Sequence, residues 1–594
     1  MKHNKFIIGA AVAIAATPIL SSCSSDYLEQ PPVTTVSDET VGESVEAARA
    51  ALYGLCQAMY VGLYRDISDR NNSGEGWFQT YYGDAGSPDF WDSFVWGYQN
   101  NMQNWALMGN GNVYASINGW MYGYNLIGQA NSILDKIDNI QGADEDVAFI
   151  KAQCKTLRAH GYIRLMQVYG PRFEDSKNGE ALTAVLREHS GTEALPLVSY
   201  KTIIDFIYKD LDEAIALYES TSVRRTFGYE PTVDVARGLY SRIALLNHDW
   251  DKAAEMAGAA RADYPIMTRE EYKAGFADHN QEWLWYNDAD NTYVGYQSWG
   301  ATYASNGAYV TAYNWSGAGC ISIYLYDEIY NRNNDDVRCE LFWTPDKANK
   351  YVDFKISRDD FWSTNYVNSE FGFMYGTSGD GCDEKMAAAI ALFVRNNMPE
   401  GDWGTPPYGV DITLDEATAK SSIRRRQWFS GLSSSVVAGV QFGAQIKFLA
   451  YEGQLFGSEH SWLRGSELLL TEAEAEYERG NFDRAAQLLE ELNKSRINDS
   501  YTCTLRGEAL RDEIRLYRRM ELWGEGDAWF SFKRWNTGVK RVAWKEGDTS
   551  SDTFLIDYAG EWAANFQHGW RYVVPNAETN YNPEVSLQIK TMYE

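Results

Sequence analysis

The stretch WFQTYYGDAGSPDFWDSFVW, residues 77–96, carries eight aromatic side chains in twenty positions, whereas Phe, Trp and Tyr make up 14% of the whole chain. Trp77, Tyr81, Tyr82, Trp91 and Trp96 stand there among Asp84, Asp89 and Asp92, with Asn100 just beyond. A second concentration follows at Tyr293, Tyr296, Trp299, Tyr303 and Trp315, with Asp290 and Asn314. Rings and polar groups in that mixture suit carbohydrate. A sugar has an apolar C–H face for an indole or phenol to cover and a rim of hydroxyls for Asn, Asp, Gln or Arg to hold. If each ring hides about 40–60 Å² of apolar surface, it contributes about 1–1.5 kcal/mol, so two or three rings give weak, reversible capture, roughly millimolar to micromolar. The same carboxylates raise the alternative of a glycoside hydrolase, which needs two acids at a defined separation. Among 82 acidic residues, three near some rings are expected by composition alone.

Other chemistries lack their residues. His160, His248 and His279 form no HExxH or related ligand spacing, and no Gly-x-Ser-x-Gly elbow occurs. NDADN at 287–291 and DGCDE at 380–384 have an acid density that a structural calcium ion could use, but neither completes a calcium-loop motif. No cofactor and no catalytic metal are expected. After Cys23, the cysteines at 56, 154, 320, 339, 382 and 503 show no CxxC spacing. Most read as small core residues, with Cys320 and Cys339 the closest in sequence should any pair oxidise.

The elements that must hold these rings begin with an export signal. Lys2 and Lys5 precede a fifteen-residue, mostly apolar run from Phe6 to Leu20, too short to span a bilayer comfortably. Leu20-Ser21-Ser22-Cys23 resembles a bacterial lipobox, in which cleavage precedes a cysteine that then carries the acyl chains. Ser24, Ser25, Asp26 and Glu29 resemble the start of lipoproteins exported to the outer face of an outer membrane. Cleavage removes two lysines and no acids, so the net charge moves from −29 to −31. So anionic a body repels phosphate and argues against nucleic-acid binding. The expected link to the membrane is the lipid on Cys23.

Beyond a polar tether, helical periodicity appears in residues 39–64 and at roughly 113–138, 145–170, 199–220, 232–247 and 250–263. HDWDKAAEMA at 248–257 matches GNFDRAAQLL at 480–489, with an aromatic at the third place and a pair of alanines after the charged residues. Each copy sits between two helical patterns. In the later one, Trp462, Ser466, Leu469, Ala473 and Tyr477 share one face, and Phe482, Ala485, Leu489 and Leu492 share another beyond Gly480-Asn481. Small alanines permit close backbones and the ring fills the turn, which is the packing logic of tetratricopeptide-type repeats. The expected fold is therefore mainly α, a tetratricopeptide-like helical hairpin scaffold with a large irregular, loop-rich lobe containing minor β structure. The chain divides into a signal peptide at 1–22, a lipidated tether at 23–38 and an N-terminal helical repeat region at 39–264 with an aromatic loop at 71–112. An irregular ligand-binding lobe at 265–455 and a C-terminal region at 456–594 with the last hairpin complete it. In the lobe, Trp283 and Trp285 alternate with Leu284 as in a packed strand.

Several segments resemble the SusD/RagB family of nutrient-binding outer-membrane lipoproteins. KTLRAHGYIRLMQVYGPRF (155–173) is similar to the family's Leu-Arg-Ala helix ending in Tyr-Gly, and SYKTIIDFIYKDLDEAIALY (199–218) to its Asp-Leu-x-x-Ala helix. VARGLYSRIALLNHDWDKAAEMA (235–257) resembles its repeat hairpin, and YLYDEIYNRNNDDVR (324–338) its mid-chain Tyr-to-Asp-x-Arg segment. IRLYRRMELWGEGDAWFSFKRW (514–535) resembles its C-terminal series, followed by RYVVPNAETNYNPEV. One departure is Val574-Pro575-Asn576, where the family more often has Pro-x-Pro. The resemblance implies a non-catalytic lipoprotein. It would bind a glycan through aromatic and polar loop residues in the two clusters and cap a SusC-like TonB-dependent outer-membrane transporter. Some relatives capture peptides, so a peptide- or protein-binding role is the alternative. Read by itself, the 511–538 segment interleaves six basic and five acidic residues with its rings. That near balance suggests internal ion pairing in a structural helix rather than a binding patch.

Overall fold

The computed structural model describes residues 40–60, 74–91, 105–276, 278–287, 320–342, 447–448, 459–541, 560–562 and 570–593. Most are helical. After α1 (Val45–Tyr60), a short helix α2 (Glu75–Phe78) runs into a π-helical turn (Gln79–Ala85) and strand β1 (Phe90–Trp91). Two long helices follow, α3 (Tyr114–Ile137) and α4 (Asp144–Tyr169), then strands β2 (Leu182–Val185) and β3 (Leu197–Ser199) and helix α5 (Tyr200–Glu219). The first repeat hairpin is α6 (Val233–Leu246) with α7 (Trp250–Arg261), followed by α8 (Arg269–Ala274) and strand β4 (Trp283–Asn287). Strand β5 (Cys320–Ile321), α9 (Ile323–Arg332) and β6 (His460–Arg464) lead to the second hairpin, α10 (Gly465–Glu478) with α11 (Phe482–Arg496). The chain ends with α12 (Gly507–Glu521), α13 (Ala528–Trp535), strands β7 (Val539–Arg541) and β8 (Gly560–Trp562), α14 (Asn576–Tyr581) and α15 (Pro583–Met592).

Helices α3 to α7 pack each on the next, and α7 then packs on α10, which packs on α11. The two hairpin copies are therefore neighbours in space despite more than 200 residues between them. Their contact is built as the alanine pattern requires. Ala253, Ala254, Ala257, Ala485 and Ala486 are buried, and Ala475 joins the apolar contact of α6 with α7. Local chemistry starts the helices. Ser199 Oγ accepts from the Thr202 amide at 3.2 Å, Asp249 Oδ1 accepts from the Lys252 amide at 3.2 Å, and Thr268 and Glu271 form a reciprocal capping box. At the hairpin turns, Gly480 has φ +79° where the first copy has His248 at φ +57°. The left-handed conformation is natural for glycine and costs a histidine energy. His248 makes ring contacts instead, at 4.8 Å to Phe173 and 4.5 Å to Trp250. The helical face expected to begin at Trp462 starts later, because residues 460–464 pair as a strand with β4 and only Gly465 opens the helix.

The centre of the C-terminal half is ionic. Glu521, fully buried at the end of α12, accepts from Arg464 at 2.9 Å and Arg496 at 3.1 Å, and lies 3.5 Å from Arg338. Arg464 also meets Glu282 at 2.7 Å and Glu525 at 2.6 Å. Burial alone would raise the Glu521 carboxyl, but Arg496, Arg464 and Arg338 outweigh it and hold the group far below the ordinary carboxylate range. Of the charges in 511–538, Arg518 pairs with Asp527 inside the segment, whereas Glu521, Arg519 and Arg534 take their partners from elsewhere in the fold and Arg511 with Asp512 stays at the surface. Trp283 and Trp285 are buried where β4 pairs antiparallel with β6. Cys56, Cys154 and Cys503 are buried free thiols. Burial pushes the Cys154 thiol up to about 12. Among the described residues, no helix is long and apolar enough to cross a membrane, and no three acidic, His or Cys side chains group as metal ligands.

Candidate functional site

Gly83, Gly86 and Pro88 argue for turns over regular structure in the aromatic stretch, yet residues 75–85 are helical. Tertiary contacts override the local preference. Glu75, with no exposed surface, accepts from the Tyr122 hydroxyl at 2.6 Å and meets His160 Nε2 at 3.0 Å and the Arg164 guanidinium. Arg164 also lies 4.6 Å above the Phe78 ring, and Phe78 stacks on Phe530 of α13 at 5.9 Å. Burial holds His160 well below its ordinary value of 6.5, with Arg242 adding to the effect, so the ring is neutral. A neutral ring bonded through Nε2 donates that N–H to Glu75.

The next turns are fastened to the C-terminal segment. Gln79 Nε2 donates to the Glu525 carbonyl at 3.1 Å, and the Asp84 carboxylate accepts the Gly526 amide at 2.7 Å. The backbones touch at Gly83 and Gly526, where a Cβ on Gly83 would lie 2.2 Å from the Gly526 oxygen, so both positions need glycine. The Gly86 carbonyl accepts from Trp105 Nε1 at 3.0 Å and from Arg541. Arg541 stacks 4.0 Å from the Trp105 ring, and burial brings it down to about 9. Asp89 forms a two-pronged pair with Arg519, whose Nε donates at 2.7 Å, while its carbonyl accepts Trp523 Nε1 at 3.0 Å. Burial opposes the Arg519 charge, but Asp89 more than offsets it and the pKa lies above the ordinary value. Finally β1 pairs with β5, Phe90 opposite Ile321 and Trp91 opposite Cys320.

This geometry sorts the ring-rich stretch. Tyr82, expected as a sugar platform, is 2% exposed. Its hydroxyl donates to the Ala115 carbonyl and accepts the Gly119 amide at 2.8 Å, bridging two backbone groups four residues apart on α3. It is a core residue, because a phenol tip that finds two backbone partners inside gains nothing from facing water. Tyr82→Phe is therefore expected to lower stability by about 1–3 kcal/mol through lost backbone partners; a shift in the denaturation midpoint checks this. Asp84 and Asp89, counted among the polar groups of the cluster, are 1% exposed and serve as anchors. The backbone places Trp77 on α2, Tyr81 on the π-helical turn and Trp91 on β1, so all three belong to the anchored segment. Asp92, Trp96, Asn100, Asp290, Tyr293, Tyr296, Trp299, Tyr303, Asn314 and Trp315 lie outside the described residues, as do Cys23 and, save for Asn287, the two acid-rich stretches weighed for calcium. Arg519, Trp523, Gly526 and Arg541 are positioning residues that sequence reasoning did not single out. The signal available was the Gly-x-Gly of 524–526 inside a charge-balanced, ring-rich segment.

Comparison with known proteins agrees with this architecture. Residues 281–590 match the model of the SusD family, and residues 27–245 match a family model described as starch-binding associating with outer membrane. The chain belongs to the SusD family. Among solved structures, a SusD-like carbohydrate binding protein from Bacteroides vulgatus is similar, with a TM-score of 0.66 at 20% identity over 91% of this chain and 97% of that one. A protein described as a putative sugar binding protein from the same species gives 0.62 at 18% identity, covering 91% and 98%. A SusD superfamily protein from Bacteroides thetaiotaomicron gives 0.61 at 18% identity, covering 91% and 99%. At such identities the likeness concerns the fold. No curated protein sequence matches the chain.

Proposed function

We propose that this protein is a cell-surface glycan-binding lipoprotein that captures oligosaccharides and passes them to a SusC-like TonB-dependent outer-membrane transporter. The observation that carries the reading is a ring-rich segment, holding Trp77, Tyr81 and Trp91, fixed by ionic and backbone anchors to the scaffold of a SusD-family chain. A preorganised platform loses little ordering entropy when a sugar docks, which matters when each ring contributes so little. Trp96, Asn100, Tyr293, Tyr296, Trp299, Tyr303 and Trp315 complete the proposed site, and lipid on Cys23 tethers it outside the cell.

Two observations support binding without catalysis. Of the three carboxylates in the first cluster, Asp84 is engaged by the Gly526 amide and Asp89 by Arg519. Both are 1% exposed and held by protein groups, so neither is placed to reach a glycosidic bond or a water beside it. The test is a binding screen of residues 24–594 against polysaccharides, oligosaccharides and peptides, with polymer length followed in parallel. Trp77→Ala and Trp91→Ala are each expected to weaken glycan binding by about 1–1.5 kcal/mol, roughly 5- to 13-fold. Shortening of the polymer would instead establish a hydrolase. Binding confined to peptides, with strong salt dependence, would favour the peptide-capturing alternative.

A further inference from the structure

A small polar cleft lies beneath the aromatic segment, between α4, α6, α10 and the turn into α13. It has room for only about two or three water molecules. The charges around it are paired by protein partners. Glu467 accepts two bonds from Arg242, each 2.9 Å, Asp527 takes Arg518 at 2.6 Å, and Glu525 takes Arg464 at 2.6 Å. Arg534, also in the lining, is held by Glu474 at 2.7 Å. Three polar atoms in the lining residues nevertheless find no hydrogen-bond partner in the protein: Arg164 Nε, Arg242 Nη1 and Gln79 Oε1. Arg164 and Gln79 are 2% and 3% exposed, so bulk solvent does not serve them. Buried polar groups without a protein partner are commonly served by ordered water.

Two donors and one acceptor define what the cleft can hold. An anion would satisfy the guanidinium N–H groups but would meet the Gln79 oxygen with its own negative charge. A cation would meet two guanidinium groups. A molecule that both accepts and donates fits all three, and the space admits only a very small one. We infer that a fixed cluster of two or three water molecules occupies this cleft and joins Arg164 of α4 and Arg242 of α6 to Gln79 of the aromatic segment. These waters are part of the mount on which the segment sits, since Gln79 packs on Gly526 and bonds the C-terminal turn through Nε2 while its Oε1 has no protein partner.

The test is a crystal structure of residues 24–594 at about 1.8 Å or better, with a second crystal soaked in sodium bromide. The expected result is density about 2.7–3.2 Å from each of the three atoms and no bromide signal in the cleft. In a Gln79→Met crystal the density next to residue 79 is expected to vanish while that between the two arginines remains. A bromide anomalous peak there would make the cleft an anion site and overturn the inference. So would arginine side chains turned onto protein acceptors with no density between them, or density unchanged by Gln79→Met. None of these outcomes depends on whether the protein binds glycan.

Discussion

Glu521→Gln is expected to destabilise the protein by about 3–5 kcal/mol, seen as a fall in the denaturation midpoint at unchanged slope. The substitution keeps the size of the side chain and removes the one charge on which Arg464, Arg496 and Arg338 converge. Arg464 retains Glu282 and Glu525, and Arg338 retains Asp336 at 2.6 Å. Arg496 is left with Glu282 at 3.6 Å, too long for a strong pair. An excess of buried positive charge results, and its desolvation cost is what the experiment measures. A loss below about 1 kcal/mol would mean that water reaches this hub, contrary to its complete burial.

The same groups set the acid response. The folded-state carboxyls of Glu521, Glu282, Glu474 and Asp527 are all lowered, so their contribution is whole above the ordinary carboxylate range and is lost as pH falls through their folded values. His160 and His460 are lowered too, by burial and then by Arg242 and Arg164 respectively. For these bases the unfolded chain takes up protons from 6.5 downward while the folded one does not, so stability begins to fall there. Acid unfolding is therefore expected in two stages, a first decline below about pH 6.5 and a steeper one below about 4.5. Denaturation midpoints measured from pH 8 to 3 check this.

Asp89→Ala is expected to remove most of the glycan affinity, although Asp89 itself is too buried to touch a ligand. Arg519 of α12 would lose its acid, and the joint between β1 and α12 would slacken, with only the bond from Trp523 to the backbone carbonyl of residue 89 retained. If Trp77, Tyr81 and Trp91 act from one fixed segment, releasing it forfeits their contributions together, about 3 kcal/mol or roughly 150-fold. Single ring variants lose far less, so the comparison separates positioning from contact. Asp89→Asn keeps one hydrogen bond to Arg519 and is expected to fall between the two. Full affinity in a folded Asp89→Ala protein would remove the anchored segment from the site.

How much of this was legible in the chain follows from the range of the forces involved. The long helices between residues 114 and 261 appear within a residue or two of the expected spans; a 3.6-residue apolar repeat is written locally in α5 and α6, whereas α4 is buried on every side from Ala152 to Tyr169. The hairpin copies were legible as a pair from their shared turn and alanines. Their direct contact was not, since no local pattern states what fills the interval between them. The helical form of 75–85 was missed for the same reason. Its support comes from Tyr122, His160, Phe530 and Gly526, and a composition of Gly, Pro and Asp does not announce them.

The sequence by itself determined that rings and carboxylates gather in one stretch, that the charges of 511–538 must find partners, and that helical hairpins stack. Those are consequences of residue type and spacing. Only the tertiary structure decided that Tyr82 turns into the core, that Asp89 answers to Arg519 from 430 positions away, and that Gly83 lies against Gly526. Whether a ring or an acid meets protein or water depends on which distant groups the fold brings beside it, and burial is a property of that neighbourhood rather than of the residue.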